Sequence, residues 1–108
     1  MTADIVYIKE NALIAKLAAA QIKKKTAAIV IGKTIYLHNT SRENFLQNTS
    51  WVKHELAHIA QYKQYGIITF ILLYLFESIK NGYQKNCFEL QAIKKENEEL
   101  DLNNFIFK

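Results

Sequence analysis

With 108 residues and a net charge of +4, the chain is the size of a single domain, read here as residues 1–108. Half of its residues are hydrophobic, enough for a core without disulfide staples, and a lone cysteine, Cys87, rules out an intramolecular bridge and suits a reducing compartment. Lysine supplies nearly all the positive charge; Arg42 is the only arginine, which argues against an arginine-based reader of bases or phosphates, so no nucleic-acid partner is expected.

The opening MTADIVYIKE lacks a basic-then-apolar leader, so a cytoplasmic location is expected. Residues 4–8 read as a short strand. Residues 11–25, NALIAKLAAAQIKKK, are built from strong helix formers, with Leu13, Ile14, Leu17 and Ala18 at helical spacing. The run Lys23, Lys24, Lys25 could attract nucleic acid or anionic lipid, but reads first as a solvated helix end that complements the helix dipole. Ala27–Ile31 and Thr34–His38 are β-branched or aromatic runs around Gly32 and Lys33, the pattern of a hairpin. Residues 39–48 are polar and loop-like. Asn48, Thr49 or Ser50 can cap a helix that starts near Trp51 and stops at Gly66.

Residues 67–80 predict a largely buried helix ended by Gly82. Its most apolar stretch, residues 67–76, falls well short of the roughly 20 residues needed to span a bilayer. A further helix is expected over residues 86–100, and Phe105 and Phe107 in the tail should dock on the body. The chain carries no repeat, low-complexity segment or linker. These elements predict an α+β fold with a small antiparallel hairpin or sheet beside a helical bundle.

The chemistry concentrates in His54-Glu55-Leu56-Ala57-His58, an HExxH motif. On a helix, positions i and i+4 share a face, so His54 and His58 can bind one Zn²⁺. Glu55 then stands beside the metal, placed to take a proton from water. Catalytic zinc normally has a third protein ligand. Positions 61 and 64 are Gln61 and Gln64, which excludes the HExxHxxGxxH pattern. His38, the remaining histidine, lies at a strand end and could reach the metal. Glu89 is the other candidate: it sits at the edge of an inward stripe of Phe88, Ala92 and Ile93, where a carboxylate is costly unless paired or metal-bound. A surface glutamate paired with Lys85 is the competing reading of the same residue.

WVKHELAHIAQY at residues 51–62, followed by YQKNCFELQA at 83–92, resembles a family of small bacterial gluzincin-like proteins, largely of uncharacterised function. Their pattern is HExxHxxQ followed by a tyrosine and an N-x-F-E-x-x-A segment. The resemblance covers about 40 residues and implies a minimal zincin fold. It also implies zinc bound by His54, His58 and Glu89, with Glu55 as catalytic base of a metallopeptidase. Larger gluzincins carry an aspartate four residues after the ligand glutamate to orient the first histidine. Ile93 stands there in this chain, so a backbone carbonyl, Asn86 or Glu96 would have to take that part.

A developing oxyanion needs a donor, and Tyr83 is the first choice, with Tyr74 and His38 behind it. Trp51 and Gln61 share the histidine side of the helix; Trp51 reads as a core residue, and Gln61 as a site hydrogen-bonder or a loop cap. An extended peptide or protein substrate could add to the edge of Thr34–His38. So short a chain leaves little material for a deep cleft, so a protein partner could complete it. Two other readings compete: a zinc-binding interaction module that does not hydrolyse, and a structural or membrane-surface helical protein in which HExxH is fortuitous.

Overall fold

Burial alternates along Thr34–His38, with Ile35 and Leu37 wholly buried, and this run becomes an interior strand of a sheet. A computed structural model describes residues 3–108. In chain order its elements are β1 (Asp4–Lys9), α1 (Leu13–Ile22), β2 (Ala27–Ile31), β3 (Thr34–His38), α2 (Arg42–Gln47), α3 (Thr49–Tyr65), α4 (Ile67–Asn81), α5 (Cys87–Lys95) and β4 (Phe105–Phe107). Single 3-10 turns lie at Tyr83–Lys85 and Leu102–Asn104. The α+β class is as expected.

The sheet is larger than the expected hairpin, and it is mixed. Its order is β2-β3-β1-β4. β2 and β3 form the antiparallel hairpin, whereas β1 runs parallel to both β3 and β4. The segment expected as an accessory strand is therefore interior, with Val6 buried, and the tail contributes a strand of its own. Arg42, the only arginine, donates to the carbonyl of Phe107 and ties α2 to β4. Its guanidinium serves the fold.

Four further expectations need correction. α1 stops at Ile22 because Lys23 turns into the left-handed region (φ 57°), so the lysine run lies beyond the helix. Residues 42–47 form α2 where a loop was expected: Ser41 Oγ accepts from Asn44 N at 3.1 Å, and wholly buried Phe45 gives the short helix an anchor. α5 ends at Lys95, and Ile93 is exposed, so only Phe88, Glu89 and Ala92 of the expected stripe face inward. Most consequentially, α4 is not buried. Phe70 is its only buried residue among those described, and Ile68, Leu72, Leu75, Phe76 and Ile79 all face outward.

The core lies between the sheet and α3, where Val30, Ile35 and Leu37 meet Val52, Leu56 and Ile59. Asn48 Oδ1 caps α3 at the amide of Trp51 (3.2 Å), and Trp51 packs edge-on to Phe45 as a core residue. Gly66 joins α3 to α4 with no intervening loop. Its φ of 83° is one that side-chain-bearing residues rarely adopt, so the reversal depends on glycine there. α4 thereby folds back beside the histidine face of α3.

Candidate metal centre

His54, His58 and Gln61 recur at helical spacing along the face of α3 that meets α5. α5 is aimed by Asn86, a wholly buried side chain with three tasks. Its Oδ1 caps the helix at Phe88 N (2.8 Å), and its Nδ2 donates to the carbonyl of Tyr74 (3.0 Å) and to Ser78 Oγ (2.9 Å). The same side chain thus starts α5 and fastens it to α4. Glu89, in the first turn, is carried to the histidines.

The three groups converge. Glu89 Oε1 lies 3.0 Å from His54 Nε2 and 3.3 Å from His58 Nε2. One ligand atom from each of His54, His58 and Glu89 falls within 4.8 Å of the others, so the group can hold a metal ion. Two ligands at about 2.0–2.1 Å from a tetrahedral Zn²⁺ stand about 3.3 Å apart, which matches the observed separations. Of the two sequence readings of Glu89, the lysine-paired surface group is overturned: the residue is 6% exposed and faces the histidines. His38 ends β3 opposite Ala27 and is not part of the group.

The hydrogen bonds behind the rings fix their orientation. Gln61 Nε2 donates to the carbonyl of Phe88 (3.1 Å), which can only accept, so its Oε1 must face His58 Nδ1 at 2.9 Å. His58 Nδ1 is then the donor. His54 Nδ1 likewise donates to Glu96 Oε2 at 2.8 Å. Of the three partners considered for the first histidine, Glu96 takes the part, while Asn86 serves the helix start. Each ring nitrogen that bears a proton is thus turned away, and both Nε2 atoms point at one carboxylate oxygen. Neutral imidazoles would set lone pair against lone pair. Either two extra protons or one cation meets that demand. Two imidazoliums with centroids 5.0 Å apart would repel each other, whereas a single cation serves all three ligands at once.

Tyr74 of α4 donates its hydroxyl to the Glu89 carboxylate. The sequence offered Tyr74 only as an oxyanion donor behind Tyr83 and gave no sign of this bond, because nothing local links a helix tyrosine to a carboxylate on the next helix. Tyr83 reaches the same cavity from the 3-10 turn, remains 42% exposed, and has its hydroxyl pKa raised by burial and by the charges of Glu89 and Glu55. It therefore keeps its proton to donate.

No family model, curated protein or solved structure matches this chain. Glu55 is buried at the floor of a cavity of about 420 Å³ that also takes in His54, His58 and Glu89. Burial lifts its carboxyl to about 7, a rise that the neighbouring His58 and His54 only partly offset. Burial lowers the pKa of His54, but the pull of Glu89, Glu55 and Glu96 outweighs it and brings the imidazole to about 9. Burial would raise Glu89, yet hydrogen bonds from His54 and His58 hold it well below the usual carboxylate range.

The remaining cavity wall is apolar, built by Ile14 and Ala18 of α1, by β2, and by Ile71 and Leu75 of α4. Substrate addition at Thr34–His38 is not available, because β2 and β1 pair with both edges of β3. β2 is the edge strand on the cavity side of the sheet, and it lines the cavity along its whole length.

Proposed function

We propose that the chain is a zinc-dependent metallopeptidase with His54, His58 and Glu89 as zinc ligands and Glu55 as general base. The observation that carries this reading is the buried convergence of two Nε2 atoms on Glu89, with both Nδ1 atoms already engaged and a carboxylate alongside. Two imidazoles and one carboxylate make a donor set that suits zinc and leaves a fourth position open. When bound, zinc acidifies water and polarises a carbonyl.

The protein's own groups do the rest. Gln61 and Glu96 hold the rings, and Tyr74 holds the ligand carboxylate. Glu55 takes the proton of the attacking water and later passes it to the leaving amine. Tyr83 donates to the developing oxyanion. A peptide in extended form lies along β2, the edge strand beside Glu55, with apolar side chains in the wall formed by α1 and α4.

The test pairs metal content with turnover on a fluorogenic peptide library. Wild type and Glu55→Gln should each carry one zinc, and the variant should lose at least about 10²-fold in turnover. Zinc bound with no cleavage by wild type would leave a metal-binding interaction module. Absence of zinc after reconstitution would overturn the reading altogether.

A further inference from the structure

The largest unexplained feature is the outward face of α4. Ile68, Leu72, Leu75, Phe76 and Ile79 form one stripe at spacings of three, four and seven, and Ile79 is 87% exposed. Leu75 belongs both to this stripe and to the cavity wall, so the stripe begins at the mouth of the cleft. Across the mouth, α1 repeats the pattern: Leu13, Ile14 and Leu17 are exposed, and Ile14 also lines the cavity. Gly32, in the hairpin turn, lies against Ile67 at the start of α4, where a Cβ would sit 3.4 Å from Ile67 Cδ1. The apolar surface therefore runs on both sides of the cleft, well beyond the scattered apolar residues of an ordinary surface.

Charge is distributed to match. From residue 11 to residue 38 the chain has Lys16, Lys23, Lys24, Lys25 and Lys33 and no acidic residue. α4 adds Lys80 against a single carboxylate, Glu77. Glu96 is committed to His54, and the acidic residues Glu98, Glu99 and Asp101 follow it in the segment that leads into β4, the strand at the opposite edge of the sheet. An apolar surface flanked by lysines, with Glu77 as the one carboxylate on its two helices, complements an anionic lipid interface, where aliphatic side chains enter the acyl boundary and ammonium groups meet headgroups. A second copy of the same basic face would bring like charges together.

We infer that the face formed by α1 and α4 docks on an anionic membrane surface, with the mouth of the cleft turned toward the bilayer. Among the described residues no helix is long and apolar enough to cross a membrane, so the contact is one of lying on the surface. The readout is binding rather than hydrolysis, so this inference stands or falls independently of the peptidase reading.

The experiment is co-sedimentation of the full chain with phosphatidylcholine vesicles, with and without phosphatidylserine, alongside light scattering of the protein alone. Wild type should sediment with the anionic vesicles and run as a monomer without them. The exposed-site variant Leu72→Glu/Ile79→Glu should abolish sedimentation. Lys23→Gln/Lys24→Gln/Lys25→Gln should weaken it at least tenfold, since each lysine near such a surface contributes roughly fivefold. Failure to sediment with either vesicle, or binding that survives both variants, would overturn the inference. So would a wild-type dimer that Leu72→Glu/Ile79→Glu converts to monomer, which would assign the face to a second copy.

Discussion

At the metal centre, Gln61 can present only its amide oxygen to His58 because its nitrogen is committed to the Phe88 carbonyl. Gln61→Leu should therefore weaken zinc binding by about 10–100-fold in competition with a chromophoric chelator. Glu96→Gln, whose amide oxygen can still accept from His54 Nδ1, should change affinity far less. The pKa shifts set a second expectation. His54 goes from 6.5 to about 9, so the stability it contributes is full below pH 6.5 and is lost as pH rises through 9. Glu55 is raised from 4.5 to about 7, so the fold favours its neutral form and loses that contribution as pH rises through 7. Both act in one direction. Chelated protein should melt at lower temperature as pH climbs from 5 to 9 in a thermal-unfolding series, and the protection given by zinc should grow over the same range. The motif residues were legible because helix periodicity alone puts His54 and His58 on one face. Glu96 was one of three partners considered for His54, whereas the link from Tyr74 to Glu89 depends on how two helices pack, which no spacing encodes.

Among the elements, α5 depends most on a single residue. Asn86 supplies its cap and two buried bonds to α4, so Asn86→Ala should cost on the order of 2–4 kcal/mol in denaturant unfolding, combining a lost cap with unsatisfied buried groups. Zinc affinity should fall with it, because α5 carries Glu89. Helix boundaries set by side-chain chemistry were readable in advance: Asn48 was among the three candidate caps for α3, and Gly66 and Gly82 end helices where expected. Elements set by long-range contact were not. β1 looks like an accessory strand until its two parallel partners are known, and α2 is held by the burial of Phe45 and by the Arg42 bond to Phe107. α4 misled for a different reason: a helix apolar on nearly every side implies burial, but so few elements cover only its Phe70 side.

Taken as a whole, the molecule is divided by its sheet order. The β2 edge carries the cleft and the lysine-rich apolar surface, while the β4 edge carries the Arg42 tie. The pairing of Asp4 with Phe105 has a consequence in time as well as in space. These partners stand roughly a hundred residues apart, so their strands meet only by closing a loop over most of the chain. During synthesis, the hairpin and the histidine helix can form while β1 still lacks a neighbour on one side. The ribosome must deliver Phe107 before the last ladder can zip, and until then the interior strand of the finished sheet is an edge.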